Sequence, residues 1–177
     1  AGGRTVTEYD PVGNTTAVVD PNGSRTETAY DLLSRPVQVT DPLGGTLTVE
    51  FDAAGQLLEQ ADALGRTTTF AYDVMGRVTQ VTAPDGARTV SAYDVMGRLT
   101  SQTDARGMVT AFEYDALGRQ VAMVDAAGGR WTSEYDPAGN QTAAVDAKGG
   151  RTVFEFDAVG RQVAVVDALG YRTETVR

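Results

Sequence analysis

The chain contains no cysteine and no histidine among its 177 residues. Without cysteine there are no disulfides, no thiolate metal sites and no thiol nucleophile, and the redox compartment stays open. Without histidine the commonest general base and the commonest metal ligand are missing, which weighs against catalysis. Long apolar runs are also absent: hydrophobic residues make up 41% of the chain, but none of the runs approaches the ~20 residues of a membrane-spanning helix. The opening stretch AGGRTVTEYD has neither the basic nor the apolar region of a secretion signal. Positive charge is scarce, with 15 Lys and Arg against 24 Asp and Glu and a net charge of -9. That balance disfavours nucleic-acid backbones and anionic lipid surfaces, both of which need local clusters of Lys and Arg.

What the chain does have is a strict period. An aromatic residue followed by Asp occurs at Tyr9-Asp10, Tyr30-Asp31, Phe51-Asp52, Tyr72-Asp73, Tyr93-Asp94, Tyr114-Asp115, Tyr135-Asp136 and Phe156-Asp157, always 21 residues apart. Four residues after each aromatic stands a glycine, except at Ser34. Fourteen residues after it stand Gly23, Gly44, Gly65, Gly86, Gly107, Gly128, Gly149 and Gly170 without exception. Two glycines per period mark two turns that need positive φ. The second turn often reads Asp-x-x-Gly, as in DPNG (20–23), DPLG (41–44) and DALG (62–65 and 167–170). There Asp can accept a hydrogen bond from the backbone two residues on, and Pro pre-sets the φ of a type I turn.

Between the turns lie runs of about five residues rich in Val, Thr, Tyr and Phe, such as TTTFAY (67–72) and VAVVD (163–167). They are too short for helices and suit strands. The expected fold is all-β: an array of antiparallel hairpins of 21 residues, about eight repeats in one domain over 1–177. A hairpin cannot hide its apolar face alone and stacks on its neighbours. The alternative is a β-solenoid in which each unit is one parallel coil.

In the hairpin reading the eight aromatics form a structural ladder on one face. Alternation places Glu8, Glu50, Glu113, Glu134 and Glu155, each just before an aromatic, on the other face. Of the 16 aspartates, all but Asp85 follow an aromatic or open a second turn, so acidity is mainly a by-product of turn chemistry. That regularity favours turn capping over calcium, whose EF-hand and nonapeptide loops are missing. It also disfavours glycosidase carboxylates, which need two acids in different environments. GGR at 149–151 leads into a strand pattern rather than a helix N-terminus, so it is not a phosphate loop. Arg77, Arg98, Arg119 and Arg161 share one repeat position, and Arg25, Arg88, Arg130, Arg151 and Arg172 another; pairing with Asp is expected of both. Trp131 replaces the usual Thr of its position and is expected to fill a gap. No catalytic, cofactor or metal residues emerge.

The unit Tyr-Asp-x-x-Gly-Arg, complete at residues 72–77, 93–98 and 114–119 with a glycine seven residues ahead of the aromatic, resembles the YD repeat of Rhs proteins over essentially the whole chain. Departures are Phe51 and Phe156 for Tyr, Ser34 for Gly, Ala83 for the turn Asp, and Asn14, Gln56 and Asn140 for Arg. The resemblance implies a long curved strip of β-hairpins that, in Rhs toxins, insecticidal toxin complexes, wall-associated proteins and teneurins, walls in a toxin or other cargo. It implies a structural, non-enzymatic role, no cofactor, and a secreted or cell-surface location. The usage of Ala, Val, Gly and Arg points to a bacterial source. DPLGG at 41–45 matches the start of the family's self-cleavage element, but an ordinary strand follows it.

The expected partners are adjacent repeats of a longer chain, copies of this one, or an enclosed toxin. With no capping segment in view, a piece of a longer repeat protein is expected. The second functional reading is a filament-forming or carbohydrate-binding surface module, which the uniformity of the repeats and the Tyr ladder keep open.

Overall fold

The fold is seen in a computed structural model that describes residues 3–175. Gly2 and position 177, which the repeat register assigns to a turn glycine and an aromatic position, lie outside the described residues. The chain divides into two units, residues 1–88 and 89–177.

The first unit holds β1 (Val6–Tyr9), β2 (Thr15–Val19), β3 (Arg25–Tyr30), β4 (Pro36–Thr40), β5 (Thr46–Phe51), β6 (Leu57–Ala61), β7 (Thr67–Tyr72) and β8 (Val78–Thr82). From β1 to β8 each strand pairs antiparallel with its neighbour in sequence. Strand β9 (Arg88–Tyr93) starts at the boundary between units. The second unit continues with β10 (Leu99–Thr103), β11 (Val109–Tyr114), β12 (Gln120–Val124), β13 (Arg130–Tyr135), β14 (Gln141–Val145), β15 (Arg151–Phe156), β16 (Gln162–Val166) and β17 (Arg172–Glu174). From β9 to β17 the same rule of antiparallel neighbours holds. The fold is therefore all-β and built of hairpins, and the solenoid alternative is set aside, since stacked coils would pair in parallel.

Both turns of each repeat share one construction. In the first turn of the sixth repeat the N–H of Gly118 donates to the carbonyl of Asp115 at 3.0 Å, and the N–H of Asp115 donates to the carbonyl of Arg119 at 3.0 Å. This is a type I turn closed by a left-handed residue, a five-residue hairpin connection. Among the described residues the turn glycines have φ from 72° at Gly65 to 96° at Gly139. Ser34 is the one described non-glycine residue in that region, at φ 59°. An L side chain is disfavoured there, so Ser34→Gly is expected to stabilise the first unit by about 0.5–1 kcal/mol even after glycine's extra unfolded-state entropy. Chemical denaturation checks this. A variant no more stable than the parent would mean that the contact of Asn14 Nδ2 with Ser34 Oγ, 3.1 Å, outweighs the strain.

The strand register carries a feature that the period alone did not reveal. After each first turn the ladder skips one residue: Tyr114 pairs with Gln120 but Glu113 pairs with Ala122, leaving Val121 as a bulge. The same shift leaves Thr16, Val37, Leu58, Thr79, Thr100, Thr142 and Val163 unpaired. A bulge bends the strand and raises its local twist. At two of these positions the threonine hydroxyl finds a backbone partner, Thr79 Oγ1 donating to the Ala71 carbonyl and Thr100 Oγ1 to that of Ala92, each at 3.2 Å.

Because directly opposed residues share a face, the pairing sorts side chains. One face of the first unit carries Tyr30, Val39, Leu47, Val49, Phe51, Phe70, Tyr72 and Val81. The corresponding face of the second carries Phe112, Met123, Trp131, Tyr135, Phe154 and Val165. The opposite face holds the glutamates that precede the aromatics. Among the described residues only four apolar side chains are fully buried, Ala17, Ala122, Ala143 and Ala164, and all lie on this glutamate face. Each sheet layer thus keeps its large apolar groups only half covered.

Candidate functional site

The chemistry of the repeat is concentrated at the first turn and in what that turn does to the next repeat. Asp115 begins it. Its Oδ1 accepts the backbone N–H of Leu117 and of Arg119, both at 2.9 Å, which satisfies turn donors that no strand partner reaches. Its Oδ2 accepts Nε of Arg119 at 2.7 Å. The guanidinium, so oriented, donates from its terminal nitrogen to the carbonyl of Asp136 at 3.0 Å and lies 4.6 Å from the centre of the Tyr135 ring. Asp136 and Tyr135 belong to the following repeat. The Tyr135 hydroxyl completes the circuit by donating to the carbonyl of Gln120, one residue past Arg119, at 3.0 Å.

Every residue of the motif therefore has a place in one inter-repeat linkage. Asp shapes its own turn and aims the arginine, glycine supplies the positive φ, arginine reaches forward, and tyrosine reaches back. Arg98 repeats the pattern on the Asp115 carbonyl at 3.1 Å and on the Tyr114 ring at 4.9 Å, and Arg35 lies 4.5 Å from the Phe51 ring. The hydroxyls of Tyr30, Tyr72 and Tyr114 donate to the carbonyls of Thr15, Leu57 and Leu99, each at 2.9 Å. A guanidinium over a ring is an attraction between cation and quadrupole that a neutral side chain does not supply. Asn14 and Asn140 fill the arginine position by donating Nδ2 to their own turn aspartates, both at 2.8 Å, which keeps the turn half of the linkage.

The aspartates behave alike at Asp10, Asp31, Asp73, Asp94, Asp115, Asp136 and Asp157, whose carboxyls are all held below the ordinary value. At Asp115 the backbone N–H of Arg119 is the largest influence; partial desolvation opposes it, and the Arg119 guanidinium adds to it. Asp52 sits in the same geometry, its Oδ1 accepting Ala54 and Gln56 N–H at 2.8 Å each. Second turns use the same cap: Asp20, Asp62 and Asp167 each accept two backbone N–H groups ahead of Gly23, Gly65 and Gly170. At Ala83 the aspartate is missing, but the backbone turn to Gly86 persists at 2.9 Å and Asp85 Oδ1 accepts the N–H of Ala87 at 2.9 Å.

A pH dependence follows. A carboxyl whose folded value is depressed contributes stability that is present above its unfolded value, about 3.9 for Asp and 4.3 for Glu, and is lost as pH falls through the lower folded value. The melting temperature is expected to be flat from neutrality to about pH 5 and to drop below about pH 4. Melting curves between pH 7 and 2.5 check it, and a melting temperature that keeps rising below pH 4 would contradict it.

The two arginine positions differ from the expectation that both pair with aspartate. Arg77, Arg98, Arg119 and Arg161 do hold the aspartates of their own turns. Arg25, Arg130, Arg151 and Arg172 instead reach the glutamate of the preceding repeat, at Glu8, Glu113, Glu134 and Glu155. Pairing with Asp fails for this set because these arginines start their strands on the glutamate face, away from the turn carboxylates. Trp131 stands opposite Met123, and its ring lies over Gly129, where an added Cβ would come within 3.1 Å of Cη2. The missing side chain at 129 gives the indole its room.

The family model described as RHS Repeat matches residues 9–46, 51–88, 93–130, 119–151 and 135–173. No curated protein matches. Among solved structures, the chain is similar to one of a Photorhabdus luminescens Tc holotoxin pore with a mutated TccC3, at 16% identity and a TM-score of 0.47, covering 92% of this chain and 11% of that one. It is similar also to the crystal structure of TcdB2-TccC3-Cdc42, at 16% identity, TM-score 0.41, and 92% and 12% coverage. The chain thus spans about one ninth of the length of the chains it matches. With the family model matched along nearly all of its length, and four of the five matches starting at the aromatic residue of a repeat, the chain belongs to the RHS repeat family.

Proposed function

We propose that this chain is a run of about eight repeats in the non-catalytic wall of a shell that encloses a toxin or other cargo, outside the cell that makes it. The observation that carries the reading is the commitment of the motif side chains to holding repeat to repeat. The carboxylates that periodicity singles out are capped by their own turns, and the arginines beside them are spent on the next repeat. Such groups are arranged for rigidity rather than turnover. No helix among the described residues is long and apolar enough to cross a membrane, and membership in the RHS repeat family supports a structural role.

The reading is tested by limited proteolysis of the full-length protein that carries this segment. A cargo region that survives protease while the shell is native, and is cleaved once the shell is denatured, is the expected result. Cargo cleaved at the same rate in both states would overturn it.

A further inference from the structure

The four buried alanines, the four glutamates and the four arginines on the glutamate face are not independent. Glu8 on β1 stands directly opposite Ala17 on β2, and Arg25 on β3 forms a two-pronged bond to Glu8 at 2.7 and 2.8 Å. Strand β2 separates the two charged residues, so the bridge passes over it, and Ala17 beneath is 1% exposed. The arrangement recurs as Glu113, Ala122 and Arg130 at 2.6 Å, Glu134, Ala143 and Arg151 at 2.5 Å, and Glu155, Ala164 and Arg172 at 2.8 Å. In the four intervening repeats the bridge is missing among the described residues, and each lacks at least two of the three side chains. The triplets there read Ala29, Gln38, Thr46, then Glu50, Glu59, Thr67, then Ala71, Gln80, Arg88, and finally Ala92, Ser101, Val109. Where Glu50 persists without its arginine it faces another carboxylate, Glu59, directly across the ladder, a like-charge pair that weakens the sheet.

We propose that the Glu-Ala-Arg triplet is a latch across three strands that grades stability along the chain, so that the unlatched strands between β3 and β11 open before those from β11 to β17. The latch is a three-body device. A long side chain at the alanine position occupies the space the bridge crosses, and either charge alone has no partner over the middle strand. Each latch ties one repeat to the next on the face opposite the tyrosine linkage, so a latched repeat is held from both sides. The device does not depend on what the wall encloses.

Hydrogen exchange on the whole chain at low ionic strength tests it. Installing the triplet by Ala29→Glu, Gln38→Ala and Thr46→Arg together is expected to slow exchange in β3–β5 by about two- to fivefold, the range of a well-formed surface ion pair. The single changes should give nothing comparable, and the gain should fade as salt rises. Arg151→Gln should speed exchange in β13–β15 by a similar factor and leave β3–β5 alone. An installed triplet that matches the sum of its single changes, or one whose effect is indifferent to salt, overturns the latch.

Discussion

Deletion of the single residue Ser133 is expected to abolish cooperative folding of the second unit, whereas deletion of 21 residues, from Tyr114 to Glu134, is expected to leave a folded protein. Ser133 sits in β13 between two fixed turns, paired with Ala144. With one residue removed, the strand cannot keep both Trp131 and Tyr135 on the aromatic face, because side chains alternate and a one-residue slip exchanges the faces. Either the indole is turned out of its place over Gly129 or the tyrosine leaves its partner carbonyl at Gln120, and Glu134 loses Arg151. The cost is on the order of several kcal/mol, a large share of what any domain has. The longer deletion joins Glu113 to Tyr135, so that Glu113 inherits the position of Glu134 over Ala143 and faces Arg151. Arrays of this kind gain stability from each unit and each interface, so one unit fewer lowers it without changing the fold. Circular dichroism melts of the two variants decide the matter. A well-folded Ser133 deletion, or an unfolded repeat deletion, would show that register is not what specifies the sheet.

Ala143→Leu should be the most damaging single substitution on the glutamate face. Ala143 is 0% exposed beneath the Glu134–Arg151 bridge, so three added carbons must displace either the bridge or the strand. Overpacking of this kind costs about 1–3 kcal/mol. The same change at the equivalent position of an unlatched repeat, Gln80→Leu, has no bridge to displace and should stay within about 0.5 kcal/mol. Denaturant titration of both variants is the check, and equal costs at the two positions would mean that the burial of Ala143 owes nothing to the bridge above it.

The sequence made the hairpin array legible because its signals are local. Glycine at a fixed offset requires positive φ, aspartate at a fixed offset caps the turn, and short runs of β-branched and aromatic residues fill the strands between. The turn half of the linkage was visible in the same way, since Asp115 and Arg119 are four residues apart. What stayed hidden is non-local. The reach of Arg119 to Tyr135 and Asp136, and of Tyr135 back to Gln120, depends on how one hairpin lies against the next. The bulge at Val121 left only a faint trace, a break of alternation in QVAMV, where Gln120 and Ala122 do not share a face as a regular strand requires. The latch was present as a correlated triplet at offsets of 9 and 17 residues from the glutamate, as in Glu134, Ala143 and Arg151, but that correlation acquires meaning only once the register places all three on one face.

Electron cryomicroscopy of the full-length protein that carries this segment, in its native preparation, distinguishes a closed wall from an open polymer. Closed hollow particles are expected, with a wall made of antiparallel strands, two for every 21 residues, and successive repeats about 10 Å apart. Open fibres without an enclosed volume would contradict the proposed role, and parallel coils stacked about 4.8 Å apart would contradict the fold on which it rests.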